Sequence, residues 1–356
     1  MSIQISEQIR SISEKFCRDN ELAFLGIVDL EISHQDAKWF QQWLDDGKHA
    51  DMGFLEQNQE LRIEPNKLFD GAKTAVMFAF PYARAQTPNQ KPRIAEYAKF
   101  QDYHKLLKSY GTSLANKLTS ELGIEFTWRV FTDSAPILER ALAKKTRSGF
   151  IGKNTCYIHP EKGSFLLLAE LFIDISNLDL DNPAAVDAKK RSAEGGCGSC
   201  KRCQVFCPTG ALDADYKLDA RRCLSYWTIE HRGTIPFEFW PHLKTYWFGC
   251  DICQNVCPYN RGVDYNSEEN KHRKKHLDRI DLLEVATMSQ ATYEQLFGGS
   301  PMTRAKISGL RRNALIALAV IKDERLAAYL PIAAHDPSPL IRDTVAQILA
   351  YNEDLS

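Results

Sequence analysis

Eight of the ten cysteines in this chain lie between residues 197 and 257, at spacings that suit metal binding. Residues 197–208 follow C-x2-C-x2-C-x3-C-P, the ligand run of bacterial two-cluster ferredoxins. Residues 250–258 repeat the end of that run, and Cys223 stands between the two runs, where it can replace the cysteine that the second run lacks. Two [4Fe–4S] clusters need eight thiolates, so the spacing predicts a two-cluster module.

The spacing also predicts which thiolates share a cluster. In two-cluster proteins the fourth cysteine of such a run binds the other cluster. One cluster is therefore predicted to be held by Cys197, Cys200, Cys203 and Cys257, and the other by Cys207, Cys223, Cys250 and Cys253. Paired C-x2-C spacing also suits structural zinc, which stays open as an alternative, and a disulfide framework is disfavoured. Two cysteines lie outside these sets. We expect Cys17 to lie on the apolar face of a helix and Cys156 to lie in a strand without a redox role.

Composition and charge narrow the class of protein. The chain has 356 residues, enough for two or three domains, and its 45 Lys and Arg balance 46 Asp and Glu. Composition therefore indicates no polyanionic partner, while the basic runs 189–191 and 271–276 suit either a solvated surface or nucleic acid. There is no signal-peptide pattern and no window near the roughly 20 apolar residues that span a bilayer. With cysteines used as metal thiolates, these features predict a cytoplasmic protein without membrane attachment.

The elements that must position these cysteines divide the chain into three parts. Mixed strands and helices predict one α+β domain over residues 1–180. Periodicity predicts helices over 4–19, 39–44, 102–122 and from Ile137, and strands over 22–30, 74–80, 125–131 and 156–173. Residues 177–194 are predicted to form a linker, and the ferredoxin-like two-cluster domain is placed at 181–262. Residues 263–356 are predicted to form a charged connector and then an all-α tail.

The tail contains two similar phrases. Residues 311–318 (RRNALIAL) compare with residues 341–348 (IRDTVAQI), at an offset of 30 residues that is near the period of helical-hairpin repeats. The similarity predicts a HEAT-like pair with a concave surface edged by basic residues. Ordinary helical packing against the other domains is the alternative.

Phrases outside the cysteine segment resemble one known family. They are Tyr97–His104 (YAKFQDYH), Thr132–Arg140 (TDSAPILER), Gly149–Asn154 (GFIGKN), and Gly163–Phe165 with Ala169–Leu171. Together with the cysteine series and the helical tail, they resemble epoxyqueuosine reductase over essentially the whole chain. One departure is Phe100, which stands where the family usually has glycine.

The resemblance implies a cobalamin-binding α+β domain and a tRNA substrate with a queuosine-type wobble nucleotide in its anticodon arm. The implied reaction reduces the epoxide of epoxyqueuosine to the alkene of queuosine with loss of water, the last step of queuosine synthesis. It consumes two electrons, which no side chain supplies, so an external electron donor would deliver them through the clusters to cobalamin. The cofactor is expected base-off without a histidine ligand, because Asp102-Tyr-His104 lacks the glycine of a D-x-H-x-x-G motif. The protein is expected to be a monomer.

The departing epoxide oxygen must be protonated, and the family match favours Asp133 as the general acid. Burial beside an apolar corrin would help this carboxyl to keep its proton. The structural alternative is that Asp133 or Ser134 caps the helix that starts near Pro136. For His104, a local hydrogen bond at a helix N-terminus is the favoured interpretation.

Contacts to the cofactor are predicted from the matching phrases. The predicted set is Tyr97, Ala98, Asp133, Ser134, Lys153, Asn154 and Ser164. Lys153 and Asn154 would donate from a loop to corrin amides or to RNA phosphate. Glu139 and Arg140 would orient substrate or cofactor, with a surface pairing of Glu139 and Lys144 as the alternative. The aromatic residues of 226–248 are predicted to form mainly core around the second cluster.

Other functions stay open at this point. A reductive dehalogenase also uses cobalamin and two clusters, but such enzymes are exported, and this chain has no twin-arginine signal. A non-catalytic dicluster electron carrier would need neither corrin nor Asp133. A zinc-dependent RNA-binding module would contain zinc and no iron.

Overall fold

The structure, a computed structural model, describes residues 2–82, 92–176, 178, 180, 196–263 and 271–353. Helices and strands alternate in the first part of the chain. The helices are α1 (Ser2–Asp19), α2 (His34–Asp45), α3 (Gln59–Ile63), α4 (Tyr103–Leu122) and α5 (Glu139–Lys145). The strands are β1 (Ala23–Asp29), β2 (Thr74–Pro81), β3 (Arg93–Ile94), β4 (Trp128–Phe131), β5 (Phe150–Ile151), β6 (Tyr157–Ile158) and β7 (Leu166–Ile173). The predicted α+β character of this part is confirmed.

Four antiparallel strands form the central sheet in the order β1-β2-β7-β4. Helices α1 and α4 pack with Val76 and Phe78 of β2 on one face. Helix α5 packs with Met77 of β2 and Phe172 of β7 on the other. Because both faces are covered, β2 is an uninterrupted apolar run rather than an alternating one, as its sequence shows.

Helix α4 is delimited by residues with suitable capping chemistry. Asp102 caps its N-terminus, with its Oδ1 accepting the backbone N–H of His104 at 3.0 Å. Gly123 ends it in the left-handed conformation, at φ +65°, which favours glycine. The helix predicted over 102–122 is therefore confirmed, and its first turn carries Tyr103 and His104.

The cysteine-bearing segment is built from short elements. They are α6 (Arg202–Val205), α7 (Trp240–Leu243), β8 (Tyr246–Phe248) and α8 (Ile252–Asn255). Strand β8 pairs in parallel with β3 and so joins this segment to the first part of the chain. The aromatic residues Trp240, Trp247 and Phe248 are fully buried. They pack with the C-terminal helices in a core that Cys250 of the second predicted ligand set also contacts, so their role as core is confirmed and its place around a cluster stays a prediction.

The C-terminal part is helical, as predicted. Its helices are α9 (Leu282–Thr287), α10 (Gln290–Phe297), α11 (Lys306–Val320), α12 (Arg325–Ala333) and α13 (Pro339–Glu353). The two similar phrases lie on α11 and α13, which contact each other directly. Helix α11 is tied to the cysteine-bearing segment by the fully buried Arg312, which donates to the carbonyl oxygens of Trp227, His231 and Gly233.

The basic run 271–276 of the charged connector is only partly a solvated surface: Lys271, Lys275 and His276 are exposed, whereas Arg273 is buried. The Arg273 side chain is almost fully buried; it bonds the Glu96 carboxylate at 3.2 Å and the Asp278 carboxylate at 2.7 Å. Its guanidinium lies 5.6 Å from the centre of the buried Phe100 ring. Lys274 donates to the Gly298 carbonyl at 2.6 Å. The basic run 271–276 thus anchors the connector to the rest of the protein.

Two further predictions concern the linker and membrane attachment. The linker 177–194, with its basic run 189–191, lies almost entirely outside the described residues. Across the part of the chain that is described, no helix has the length and apolar character needed to cross a bilayer.

Candidate active site

Asp133 lies in the loop between β4 and α5, with its side chain 44% exposed. Helix α5 begins at Glu139, and its N-cap residue Leu138 makes no side-chain capping bond. The helix predicted from Ile137 therefore starts two residues later. The alternative in which Asp133 or Ser134 caps this helix is wrong, and both side chains remain available to a ligand.

The Asp133 carboxylate is held by two residues of α4. The Tyr103 hydroxyl donates to Oδ2, and Nε2 of His104 lies 2.7 Å from Oδ1. The other His104 nitrogen, Nδ1, lies 2.7 Å from Oδ1 of Asp102. The predicted local bond of His104 is present, but the contact with Asp133 was not predicted.

This arrangement sets the protonation of His104. The hydrogen bond to Asp133 raises the pKa of His104, and the charges of Asp133 and Asp102 add to the effect against partial burial. A histidine between two carboxylates thus carries its proton to higher pH than a free one. The site therefore places the Asp133 carboxyl next to an imidazole that holds its proton more strongly than usual.

Two further carboxyl groups lie beneath Asp133. Glu170 of β7 is fully buried and pairs across the sheet with Phe131 of β4. Burial raises the pKa of Glu139 to about 8, with a contribution from Asp133, and burial raises the pKa of Glu170 well above its usual value. Among the described residues, neither carboxylate oxygen of Glu170 nor Oε2 of Glu139 has a hydrogen-bond partner. Glu139 therefore holds its proton near neutral pH, and Glu170 holds its proton to a higher pH than an exposed carboxyl does.

The predicted surface pairing of Glu139 with Lys144 is wrong. Lys144 instead contacts Asp36 at 3.2 Å, and Arg140 donates to the Thr155 carbonyl at 2.6 Å. The Glu139 carboxyl is directed towards the interior next to Asp133, which suits the prediction that it acts at the site and not the alternative of a surface pair.

Aromatic rings connect Asp133 with the second cysteine run. Tyr97 packs edge-on against Tyr103 at 6.3 Å and against Tyr82 at 6.5 Å between ring centres. The Tyr82 hydroxyl accepts from Gln254, which follows Cys253, at 3.4 Å. Ala98, beside Tyr97, is fully buried. The rings form a largely apolar wall between the acid and the cysteines.

The eight clustered cysteines are free thiols and fall into two spatial groups. One group is Cys197, Cys200, Cys203 and Cys257; the other is Cys207, Cys223, Cys250 and Cys253. Within the groups, burial and Cys197 raise the pKa of Cys203 to about 11, and burial and Cys223 raise the pKa of Cys250. The structure thus brings together the members of each predicted ligand set, while cluster binding by each set stays a prediction.

The thiol geometry also bears on the zinc alternative. Tetrahedral zinc requires its donors to converge on one ion, whereas each thiolate of a [4Fe–4S] cluster binds a different iron. Among the described residues, no three His, Cys, Asp or Glu side chains meet at a spacing suited to a single ion. The structure gives the zinc alternative no support.

Lys153 lies at the first group of thiols. Its backbone N–H donates to Sγ of Cys197 at 3.3 Å, a contact that tunes a metal thiolate. Its buried ammonium donates to the Gly198 carbonyl at 2.8 Å and pairs with Asp215 at 3.0 Å. This placement departs from the predicted donor to corrin amides or RNA phosphate, because the side chain is already engaged in the cysteine loop.

Asn154 and Ser164 are both buried but differ in their contacts. The Asn154 Nδ2 donor has no partner among the described residues, so it is available to an acceptor on a bound cofactor. Ser164 is engaged instead: its hydroxyl donates to Gln254 at 3.0 Å, and its N–H donates to Asn260 at 2.7 Å. Ser164 therefore joins the sheet domain to the second cysteine run.

The two remaining cysteines differ in environment. Cys17 is buried on the core face of α1, as predicted. Cys156 precedes β6 by one residue instead of lying in a strand, and its thiol is within hydrogen-bonding reach of Cys253. The prediction that Cys156 lies in a strand is therefore wrong, while its lack of a redox role stays a prediction.

Three site residues were missed or undervalued from the sequence. Tyr103 and His104 belong to the phrase YAKFQDYH, yet nothing local shows that they reach a loop 30 residues later. Glu170 did leave a signal, because it is the one charged residue within the apolar strand Leu166–Ile173. A carboxyl buried in a strand without a partner is a candidate functional group.

Two family models match parts of the chain. One, described as a 4Fe-4S double cluster binding domain, covers residues 196–260 and so includes the eight clustered cysteines. The other, described as epoxyqueuosine reductase QueG, covers residues 62–134 and so includes Asp133.

Similar proteins cover most of the chain. The epoxyqueuosine reductase of Xanthomonas campestris pv. campestris is 34% identical over 336 residues, spanning 92% of this chain and 91% of the relative. An epoxyqueuosine reductase solved with a tRNA-Tyr epoxyqueuosine-modified stem loop is 27% identical, with a TM-score of 0.83 over 98% of this chain and 93% of that one. A Bacillus subtilis epoxyqueuosine reductase, whose catalytic aspartate loop is swung out of the active site, is 26% identical, with a TM-score of 0.81 over 96% and 90%.

Proposed function

This chain belongs to the epoxyqueuosine reductase family of oxidoreductases, and on that basis we propose that it reduces epoxyqueuosine to queuosine at the wobble position of tRNA. We propose that electrons pass through two [4Fe–4S] clusters to a cobalamin and that Asp133 is the proton donor. The observation that carries the proposal is one continuous arrangement. The Asp133 carboxyl, the tyrosine wall and the second group of thiols follow one another across the site.

The proposed proton supply is built from neighbouring groups. Reduction of the epoxide to an alkene and water takes two electrons and two protons. Asp133 passes to the epoxide oxygen the proton that His104 holds 2.7 Å away, and Glu139, which is protonated beside Asp133, supplies the second proton through the same carboxylate. Glu139, with a pKa of about 8, keeps a further proton beside Asp133.

Cobalamin enters through the family resemblance, and the residues around the site fit such a group. When bound, it supplies a low-potential metal centre that can reduce the substrate. The residues proposed to hold it are Tyr97 and Ala98 in the wall, Asp133 and Ser134 in the loop, and Asn154 through its unpartnered Nδ2. Both ring nitrogens of His104 already contact carboxylates at 2.7 Å, so His104 is not free to bind cobalt. This supports a base-off cofactor without a histidine ligand.

We also propose the partners and the layout. The substrate is the anticodon arm of a tRNA, the enzyme acts as a cytoplasmic monomer, and an external donor supplies its electrons. The proposed domains are residues 1–180, 181–262 and 263–356, with α11 to α13 as a HEAT-like pair that carries the two similar phrases.

The test is anaerobic incubation of the reconstituted protein with epoxyqueuosine-containing tRNA, cobalamin and a strong reductant, followed by mass spectrometry of the nucleosides. Conversion to queuosine, with loss of one oxygen atom, is expected. Clusters that are reduced without any change of the nucleoside would contradict the proposal and favour the electron-carrier alternative. Retention of zinc in place of iron would also contradict it.

A further inference from the structure

The loop that carries the first cysteine run exposes apolar side chains. Val205 is 75% exposed and Phe206 is 52% exposed, and both lie between Cys203 and Cys207. Tyr216, in a neighbouring turn, is 51% exposed. We call Val205, Phe206 and Tyr216 the carrier patch. Large apolar side chains this exposed and this close together are typical of interaction surfaces.

The parts of the carrier patch are held in a fixed arrangement. Gln204 of α6 donates to Asp215 at 3.1 Å and so joins the helix to the turn that carries Tyr216. Tyr216 has a positive φ of 62°, which a non-glycine residue adopts only at a cost, so the turn is maintained by its surroundings. The patch is therefore present before any partner binds.

The charges around the carrier patch are mainly positive. Lys201, Arg202 and Lys217 are exposed at its edge, and the Arg202 guanidinium lies 5.7 Å from the Phe206 ring centre. The nearby Asp215 carboxylate already binds the Lys153 ammonium at 3.0 Å. The three basic side chains outnumber the exposed acidic ones of this turn, Asp213 and Asp215, so the edge presents net positive charge to a partner.

The position of the carrier patch fits the entry of electrons. The second group of thiols faces the tyrosine wall and Asp133, since Gln254 beside Cys253 binds Tyr82. The first group lies on the other side, where Lys153 connects Cys197 to the turn of Asp215. Val205 and Phe206 also lie between Cys203 of the first group and Cys207 of the second, so an electron that reaches the protein at the patch arrives next to thiols of both groups.

We propose that the carrier patch is the docking surface for an acidic one-electron carrier protein. The inference rests on the proposed function, because it identifies the external donor which that function requires. Each docking event oxidises the carrier by one electron and reduces one cluster by one electron, so two events supply one turnover. Apolar contacts at the centre and lysines at the rim would give affinity and fast, salt-sensitive association.

The test follows cluster reduction by two reductants in the reconstituted full-length protein. The protein probe is reduced flavodoxin, an acidic flavin carrier whose oxidation is measured by stopped-flow absorbance; the small-molecule probe is dithionite. In Lys201→Glu/Lys217→Glu and in Val205→Ala/Phe206→Ala, we expect the second-order rate with flavodoxin to fall about tenfold or more. Reduction by dithionite should stay unchanged, because a small ion needs no docking surface.

The control is Ile332→Ala, which removes an equally exposed side chain (68%) on α12 and should behave as wild type with both reductants. The wild-type rate with flavodoxin should also fall with added salt, and less so in the lysine double variant. If the substitutions at positions 201, 205 and 206, which lie beside the cysteines, lower the iron content, Lys217→Glu alone decides, because Lys217 lies outside both cysteine runs.

The outcomes separate the two proposals. Flavodoxin rates that are equal in wild type and in both patch variants, or independent of salt, would overturn the docking surface and leave the proposed function untouched. Patch-dependent cluster reduction without any conversion of epoxyqueuosine-containing tRNA would support the surface and reject the proposed function.

Discussion

Replacing Asp133 by asparagine tests the central chemical claim with little change in shape. The amide keeps an oxygen that can accept from the Tyr103 hydroxyl, but it cannot donate an acidic proton and carries no charge. We therefore expect Asp133→Asn to fold, to bind iron and to bind corrinoid as wild type does, while losing most of its turnover.

The size of the loss follows from the exposure of the carboxyl. A positioned general acid contributes about 10²- to 10⁴-fold to rate. The Asp133 side chain is 44% exposed, so water can partly replace it as a proton source. We therefore expect a loss near the lower limit, roughly 100-fold, which corresponds to about 3 kcal/mol in the barrier.

The same variant should change His104 in a predictable direction. Its hydrogen bond to Asp133 is the main cause of the raised pKa of His104, so removing that charge should lower the pKa. Single-turnover conversion of epoxyqueuosine measures the rate, and NMR titration of the imidazole protons, assigned with His104→Gln, measures the pKa. Asp174→Asn is the matched control. Among the described residues the Asp174 carboxylate bonds Thr127, at the end of β4 that is far from Asp133, so this variant should keep full turnover.

Turnover of Asp133→Asn within about threefold of wild type would show that this carboxyl is not the acid. An unchanged pKa of His104 would show that the contact between the two groups does not form in solution.

Three further substitutions test the buried groups and the thiols. Because burial raises the pKa of Glu170, the folded state keeps a proton that the unfolded state loses above about pH 4.5, and wild-type stability falls as pH rises. Glu170→Gln should therefore have a higher free energy of unfolding than wild type at pH 8, by on the order of 1–2 kcal/mol in urea unfolding. The difference should be smaller at pH 5, and a difference that grows towards low pH would contradict the assignment. Cys223→Ala should lose roughly half of the iron while the other cluster remains, as measured by iron analysis and EPR; unchanged iron would exclude Cys223 as a ligand. Arg312→Met should lower the free energy of unfolding by about 3 kcal/mol, because three buried carbonyl oxygens lose their donor, and a change below about 0.5 kcal/mol would refute this role.

Much of the fold could be predicted because its signals are local. Helical spacing and the residues Asp102 and Gly123 delimited α4 to within a residue, and the apolar run before Pro81 identified β2. The cysteine spacing predicted two sets of four thiols, because short loops of defined length leave few ways to surround a cluster. The burial of Arg273 in the connector could not be predicted locally, because its positive charge is neutralised by Glu96, which is far away in the sequence.

Some features of the candidate site could likewise be predicted from the sequence, and others could not. The sequence by itself determined that eight thiolates are available in two sets and that a loop carboxyl, Asp133, follows a strand. Only the tertiary structure decided that His104 and Tyr103 hold that carboxyl, that Glu170 lies buried beneath it with a raised pKa, and that Lys153 contacts the cysteine loop. The physical reason is that spacing along the chain controls contacts within one turn or one loop. The proton affinity of a carboxyl or an imidazole depends instead on the burial and charges that distant segments bring to it.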